Sequence, residues 1–327
     1  MSMNPVTYLI VNFGGPRTLK EVEPFLNSLL TDKEVIRTNF PQVFHNILFG
    51  RVAKKRAKSV SEDYAKIGGG SPIWTDTEFV AETLRHKLKA PVLTFHRYLP
   101  STHKAFVEEI NALESSEVRV FPMFPQFTYA TTGSVAKFFL NHFTPFTLQK
   151  FKWVKSYPAH PAFIDSTVRA IRDFLILTGL KQEEVFFLFS AHGLPQNFID
   201  KGDLYEYECR ASFHNVMESF PEAESLLCYQ SKFGRGEWLK PYTADVCRDI
   251  RSYAHGRKYC VFVPISFTSD HIETLFEVEE LYMPLITEAG LHPFRVPALN
   301  RRPDWIDAIP RILSDSTPCT TSMLVRP

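Results

Sequence analysis

The sequence predicts an α/β protein built on two four-stranded parallel sheets, each flanked by helices. Three observations predict it. Short β-branched or aromatic runs alternate with longer helical patterns along all 327 residues, the signature of βα units on parallel sheets. That length is about twice a typical domain. The polar motifs fall just past the expected strands, where open parallel sheets place their ligands.

The first strand is expected at 7–13. Thr18-Leu19-Lys20-Glu21 then fits a capping box, in which the Thr hydroxyl accepts from the third helical N–H while the Glu reaches back. Phe25, Leu26 and Leu29 follow at helical spacing. A second helix is expected from Pro41 into a basic segment, with Phe44, Ile47 and Leu48 on one face. Strands at 92–96, 118–124 and 151–155 complete the first sheet. Strands at 185–190, 226–230, 259–265 and 293–296 supply the second. Eight strands with such regular crossovers exceed one sheet for this chain, so the split falls near 146–150. The expected limits are 1–148, 149–300 and a C-terminal helix and tail at 301–327. The sequence carries no internal repeat.

Composition narrows the function classes. The charge is 37 Lys plus Arg against 36 Asp plus Glu, or +1, which supplies no global field for nucleic acid or an anionic membrane. Nucleic acid is therefore not an expected partner. Five cysteines without a C-x-x-C pair argue against a zinc ribbon or a disulfide scaffold. No Lys or Arg precedes the apolar run at 8–13, so a secretory signal is not expected. The uncharged stretch 120–136 is broken by Pro122, Pro125 and Gly133 and is too interrupted for a spanning helix. A reducing cytoplasmic compartment is the expectation.

Several motifs have both a chemical and a plain reading. Gly14-Gly15-Pro16 lacks the dinucleotide spacing, and Gly68-Gly69-Gly70-Ser71-Pro72 lacks the Lys of a phosphate loop. The first reads plainly as a tight βα turn, the second as a flexible active-site edge or a plain turn. His192 ends an apolar strand and precedes Gly193 and Pro195. A strand-end imidazole there suits proton acceptance or metal ligation, although a hydrogen-bonded structural histidine fits too. Glu273, Glu277 and Glu280, at i, i+4 and i+7, form one carboxylate stripe if their segment is α-helical. Like charges so spaced cost about 0.2–0.5 kcal/mol per pair. A solvated face or a path for metal and protons both account for them. Arg51, Lys54, Lys55, Arg56 and Lys58 put five cations in eight residues, either a wet surface or a site for ligand carboxylates or lipid headgroups.

Taken together, the motifs resemble the ferrochelatase family, whose members insert ferrous iron into a porphyrin. The match runs through Leu9-Ile10-Val11-Asn12-Phe13-Gly14-Gly15-Pro16, Tyr64-Ala65-Lys66-Ile67-Gly68-Gly69-Gly70-Ser71-Pro72-Ile73 and Pro125-Gln126-Phe127. It continues in Phe189-Ser190-Ala191-His192-Gly193-Leu194-Pro195, Tyr229-Gln230-Ser231-Lys232-Phe233-Gly234 and Pro264-Ile265-Ser266-Phe267-Thr268-Ser269-Asp270-His271-Ile272-Glu273-Thr274-Leu275. The resemblance implies two similar Rossmann-like domains of the class II chelatase type, with a cleft between them and the C-terminal helix folded back on the first. It implies that His192 and Glu273 form the metal and proton-transfer site, with Glu277 further along the acidic path. It assigns the segment 40–58 to a lip over the pocket, with Lys55 and Arg56 near the porphyrin. Phe13, Ser71, Gln126 and Phe267 are the further expected porphyrin contacts.

The implied substrates are protoporphyrin IX and Fe2+, without a permanently bound cofactor. Some relatives that use coproporphyrin have a tyrosine where Phe13 stands, which favours protoporphyrin here. Others carry a C-terminal cysteine cluster for a 2Fe–2S centre. Cys319 alone lies near this C-terminus, so no cluster is expected. The implied protein is a cytoplasmic monomer or weak dimer with peripheral membrane contact through the lip. The alternatives are a coproporphyrin iron or sirohydrochlorin cobalt chelatase, or a noncatalytic tetrapyrrole carrier.

Overall fold

Residues 185–191 are buried without a break, which only a strand covered on both faces allows. That strand is the centre of one of two sheets in the computed structural model, which describes residues 6–234 and 236–326. The strands β1 (Val6–Asn12), β2 (Val92–His96), β3 (Glu117–Pro122) and β4 (Phe151–Trp153) pair in the order β2-β1-β3-β4. The strands β5 (Val185–His192), β6 (Glu224–Gln230), β7 (Tyr259–Pro264) and β8 (His292–Arg295) pair as β6-β5-β7-β8. All pairings are parallel. The two sheets therefore repeat one strand order although the sequence has no detectable repeat.

The chain divides into two compact units. One runs to Ser156 and resumes at Ile309; the other is Tyr157–Ala308. The first unit has an aromatic core, with ring centroids 4.6 Å apart for Phe95 and Phe106, 4.9 Å for Phe95 and Phe138, and 5.2 Å for Phe139 and Trp153. Such pairs add roughly 0.5–1.5 kcal/mol beyond their area burial. Its C-terminal residues join that core: Trp153 donates from Nε1 to Thr321 Oγ1 at 3.0 Å, and Leu324 is fully buried. In the second unit Phe186, Leu188, Cys228, Cys260 and Phe262 form the core beneath helix Met283–Glu288 and its neighbours.

Two local expectations need correction or completion. The capping box at Thr18 does not form, because Leu19–Glu21 is a 3-10 turn whose Thr18 side chain caps nothing. Glu21 instead accepts from the Arg17 backbone N–H at 2.8 Å and pairs with the Arg17 guanidinium, so the reach back lands one residue early. The basic helix does form, as Gln42–Lys66 with Pro41 at its N-cap. Its Phe44 is 66% exposed, and Val43, Ile47 and Leu48 are exposed beside it.

Candidate active site

In the second unit the chain leaves β5 for β6 on one side and returns past it to β7 on the other. Ligands of open parallel sheets bind at that reversal, outside the carboxyl ends of the strands. His192 is the last residue of β5, in register with Gln230 of β6. Its backbone N–H donates to Ser266 Oγ, just past β7, at 3.0 Å. The next residue must be glycine: its N–H donates to the Gln230 carbonyl at 2.8 Å, and a Cβ there would stand 2.7 Å from that same oxygen.

The tautomer of His192 follows from its partners. Nδ1 lies 2.6 Å from the Gly193 carbonyl, which only accepts, so Nδ1 carries hydrogen. In the neutral ring Nε2 then presents a lone pair, and it faces Glu273 Oε1 at 3.5 Å. His271 repeats the arrangement. Its Nδ1 meets the Ser269 carbonyl at 3.2 Å and its Nε2 faces Glu273 Oε2 at 3.7 Å. Two imidazole lone pairs thus confront one carboxylate, a geometry that favours a proton or a cation between them. Among the described residues no group of three or more His, Cys, Asp or Glu is spaced as a metal site; the two imidazoles face the carboxylate at 3.5 and 3.7 Å without closing a cage.

Glu273 opens a π-helical segment, Glu273–Tyr282. Its i→i+5 bonding takes more residues per turn than an α-helix, and such windings recur at functional sites. The α-helical stripe expected for Glu273, Glu277 and Glu280 is overturned by that winding. Glu280 drifts off the face and is exposed, whereas Glu277 stays half-buried. Tyr282, five residues on, takes the place beside Glu277, its hydroxyl donating to Glu277 Oε2 at 3.4 Å. Ser231, just beyond β6 in the left-handed region at φ 62°, sets its Oγ 2.6 Å from Glu277 Oε2 and 3.2 Å from Glu273 Oε2. Gln230 accepts from the Ser190 hydroxyl at 2.6 Å and turns its amide NH2 to Glu273 at 3.3 Å.

The two carboxyls are driven apart in acidity. Burial works against charge on Glu273, but the attraction of His192 and His271 when they carry the proton between them, with the Gln230 amide, outweighs it, and its pKa falls below the ordinary range. Glu277 is raised, first by burial and then by the Glu273 charge, to about 7. Two close carboxyls that share a site titrate in this split way. Ser231 has one hydroxyl hydrogen and two carboxyl neighbours. With Glu277 protonated, the three form a continuous chain: Glu277 donates to Ser231 and Ser231 donates to Glu273.

The expected site residues therefore fall into two sets. His192, Glu273, Glu277 and Phe267 come together; the Phe267 ring lies 3.9 Å from His271 and 6.3 Å from His192, centroid to centroid. Phe13, Ser71, Gln126, Lys55 and Arg56 belong to the first unit. Phe13 meets the Tyr98 ring edge-on at 4.5 Å. Ser71 is buried against Gly15, where a Cβ would come within 2.6 Å of it, and its N–H donates to the Pro16 carbonyl at 2.7 Å. Gln126 is buried past β3, while Lys55 is exposed and Arg56 half-exposed on the basic helix. The Gly68-Gly69 turn, with both residues at positive φ, ends that helix and delivers Ser71 to the β1 loop.

Sequence reasoning did not single out Ser231, Gln230, Tyr282 or Ser266. Gln230 ends β6 and Ser231 follows it, so their place at the carboxyl end of a strand beside β5 was the available signal. Tyr282 had none, because only i→i+5 winding brings it to Glu277.

Comparison with known proteins adds the following. The family model described as Ferrochelatase matches residues 6–317. Ferrochelatase of Chlamydia abortus is 44% identical over 310 residues, covering 95% of this chain and 96% of that protein. Ferrochelatase of Chlamydia trachomatis serovar D is 42% identical over 318 residues, covering 97% and 98%. Among solved structures, SirB from Bacillus subtilis with Fe3+ aligns over 96% of each chain at a TM-score of 0.52 and 12% identity. A multi-domain Deinococcus radiodurans protein with structural similarity to chelatases aligns at a TM-score of 0.53 and 14% identity, over 96% of this chain and 55% of that one. These two likenesses concern the fold alone.

Proposed function

The chain belongs to the ferrochelatase family, and from that premise we propose that it inserts ferrous iron into protoporphyrin IX to give protohaem, with His192 accepting the pyrrole protons and Glu273 and Glu277 relaying protons or metal. Membership makes it a metal chelatase, a lyase of haem biosynthesis, with a porphyrin and iron as substrates. The observation that carries the reading of the site is the pair of imidazole lone pairs, on His192 and His271, turned onto one half-buried carboxylate.

Insertion breaks two pyrrole N–H bonds and forms bonds from the porphyrin nitrogens to iron, so one dication enters and two protons leave. His192 Nε2 takes a proton and stands 3.5 Å from Glu273 Oε1, its first recipient. Glu277 releases its own proton outward and takes the Ser231 hydroxyl hydrogen, while Ser231 takes the proton arriving at Glu273. Each hop runs along a contact already formed, which spares the cost of rearranging solvent. Imidazole with carboxylate, a borderline and a hard donor, suits passing Fe2+ on rather than trapping it as thiolates would. A clamp that binds a puckered macrocycle better than a flat one lowers the barrier rather than only the KM.

The choice of protoporphyrin rests on Phe13, whose ring offers no hydroxyl to an iron at that position. Anaerobic assays with Fe2+ and, in turn, protoporphyrin IX, coproporphyrin III and sirohydrochlorin test it through the loss of tetrapyrrole fluorescence. The highest kcat/KM is expected for protoporphyrin IX; a preference for coproporphyrin would reverse the substrate assignment, and no insertion into any would leave the carrier reading.

The proposal includes peripheral attachment of a cytoplasmic enzyme to anionic membrane. No helix among the described residues is long and apolar enough to cross one. Exposed Phe40, Val43, Phe44, Ile47 and Leu48 lead into exposed Arg51, Lys54, Lys55 and Lys58, an apolar wedge followed by cations as interfacial helices use.

A further inference from the structure

We infer that Arg295 is a positioning residue for the site carboxylates, gripping Asp270 and Glu279 together so that the segment between them keeps the winding that sets Glu277 beside Ser231. The inference rests on the reading of Glu277 as a proton carrier. Arg295 is the last residue of β8, and its side chain is nearly buried. Nη1 stands 2.7 Å from Asp270 Oδ1, while Nε and Nη2 each lie 2.8 Å from Glu279 Oε1. Asp270 comes three residues before Glu273 and Glu279 two after Glu277, so one guanidinium brackets both carboxylates.

The Asp270 end is a fixed anchor. Its carboxylate also accepts from Thr274 Oγ1 at 2.9 Å and Asn300 Nδ2 at 2.8 Å, and its N–H donates to Asn300 Oδ1 at 2.7 Å. The Glu279 end senses the winding. An α-helix turns 100° per residue, and i→i+5 bonding turns less, so rewinding would swing Glu279 roughly a quarter turn or more relative to Glu273. That swing would carry it off Arg295 and would break the Glu277–Tyr282 contact, which exists only at five-residue spacing. Arginine suits the task because its planar fork presents two separate edges to two carboxylates: the charge-assisted bond to nearly buried Asp270 is the strong arm, and the bond to the exposed Glu279 is the weaker one that can let go.

The test compares Glu279→Ala with Glu288→Ala, an exposed glutamate outside the bracket, on the full chain. Amide hydrogen exchange reads the clamp without reference to activity. Exchange across 273–282 is expected to quicken in Glu279→Ala and to stay unchanged in Glu288→Ala. Anaerobic iron insertion should show kcat down about tenfold in Glu279→Ala with porphyrin KM nearly constant, a loss of the size that residues supporting a metal-site shell produce. Glu279→Gln, which keeps an acceptor oxygen for Arg295, should recover most of it, and Arg295→Lys, whose ammonium reaches one carboxylate, should not. Unchanged exchange in Glu279→Ala overturns the clamp. Faster exchange with wild-type kcat overturns the role of Glu277 on which it rests.

Discussion

Replacing Glu277 by Gln should make the protein more stable and slower at once. Burial and the Glu273 charge raise the Glu277 carboxyl from the ordinary 4.5 to about 7. At about 1.4 kcal/mol per pKa step, ionising it in the folded chain costs roughly 3 kcal/mol more than in the unfolded one. The folded state therefore binds this proton more tightly. Stability is full below about 4.5 and declines as pH rises toward about 7, where the folded carboxyl at last ionises. Glutamine imitates the protonated form at every pH. Urea unfolding of wild type and Glu277→Gln should coincide at pH 4 and diverge by pH 8, with the variant ahead by about 2–3 kcal/mol. Anaerobic kinetics on the same samples should show kcat reduced and porphyrin KM little changed, because the lost group relays protons rather than grips the ring. A variant no more stable than wild type at pH 8 would refute the burial argument, and an unchanged kcat would refute the relay.

Further outcomes follow from the same geometry. Ser231→Ala removes the hydroxyl that links Glu273 to Glu277 and should lower kcat and enlarge its solvent deuterium isotope effect, while Ser231→Thr restores part of the rate; an alanine variant at wild-type speed contradicts the chain. Gly193→Ala sets a methyl 2.7 Å from the Gln230 carbonyl and should destabilise the second unit by about 1–3 kcal/mol, read from its urea midpoint. Phe44→Ser with Leu48→Ser should weaken flotation with anionic vesicles roughly thirtyfold, since each side chain gives up about 1 kcal/mol of burial. Wild-type flotation should itself fall in high salt; binding indifferent to both changes removes the lip from membrane contact.

The strands were legible because parallel strands buried on both faces read as unbroken apolar runs, and 185–191 is the clearest of them. His192 was legible as a site residue for the same reason: an imidazole at the end of such a run lies at the rim of the sheet. What escaped lies in winding and in contacts between distant segments. Glu273, Glu277 and Glu280 have a spacing that suits an α-helix, and nothing local announces i→i+5 bonding, which here is accompanied by Arg295 on β8 and Ser231 past β6. Thr18 and Glu21 also match a cap in spacing alone; Arg17 competes for the glutamate and wins. The identical order of the two sheets left no trace as a sequence repeat, since strand order depends on which faces are apolar rather than on which apolar residues fill them.

The most direct test of the whole account is a single-turnover measurement of Fe2+ entering protoporphyrin IX on His192→Ala, with porphyrin binding followed on the same sample. The account predicts that the porphyrin still binds and its fluorescence persists when iron is added, because the base assigned to take the pyrrole protons is gone. Quenching at the wild-type rate would contradict it.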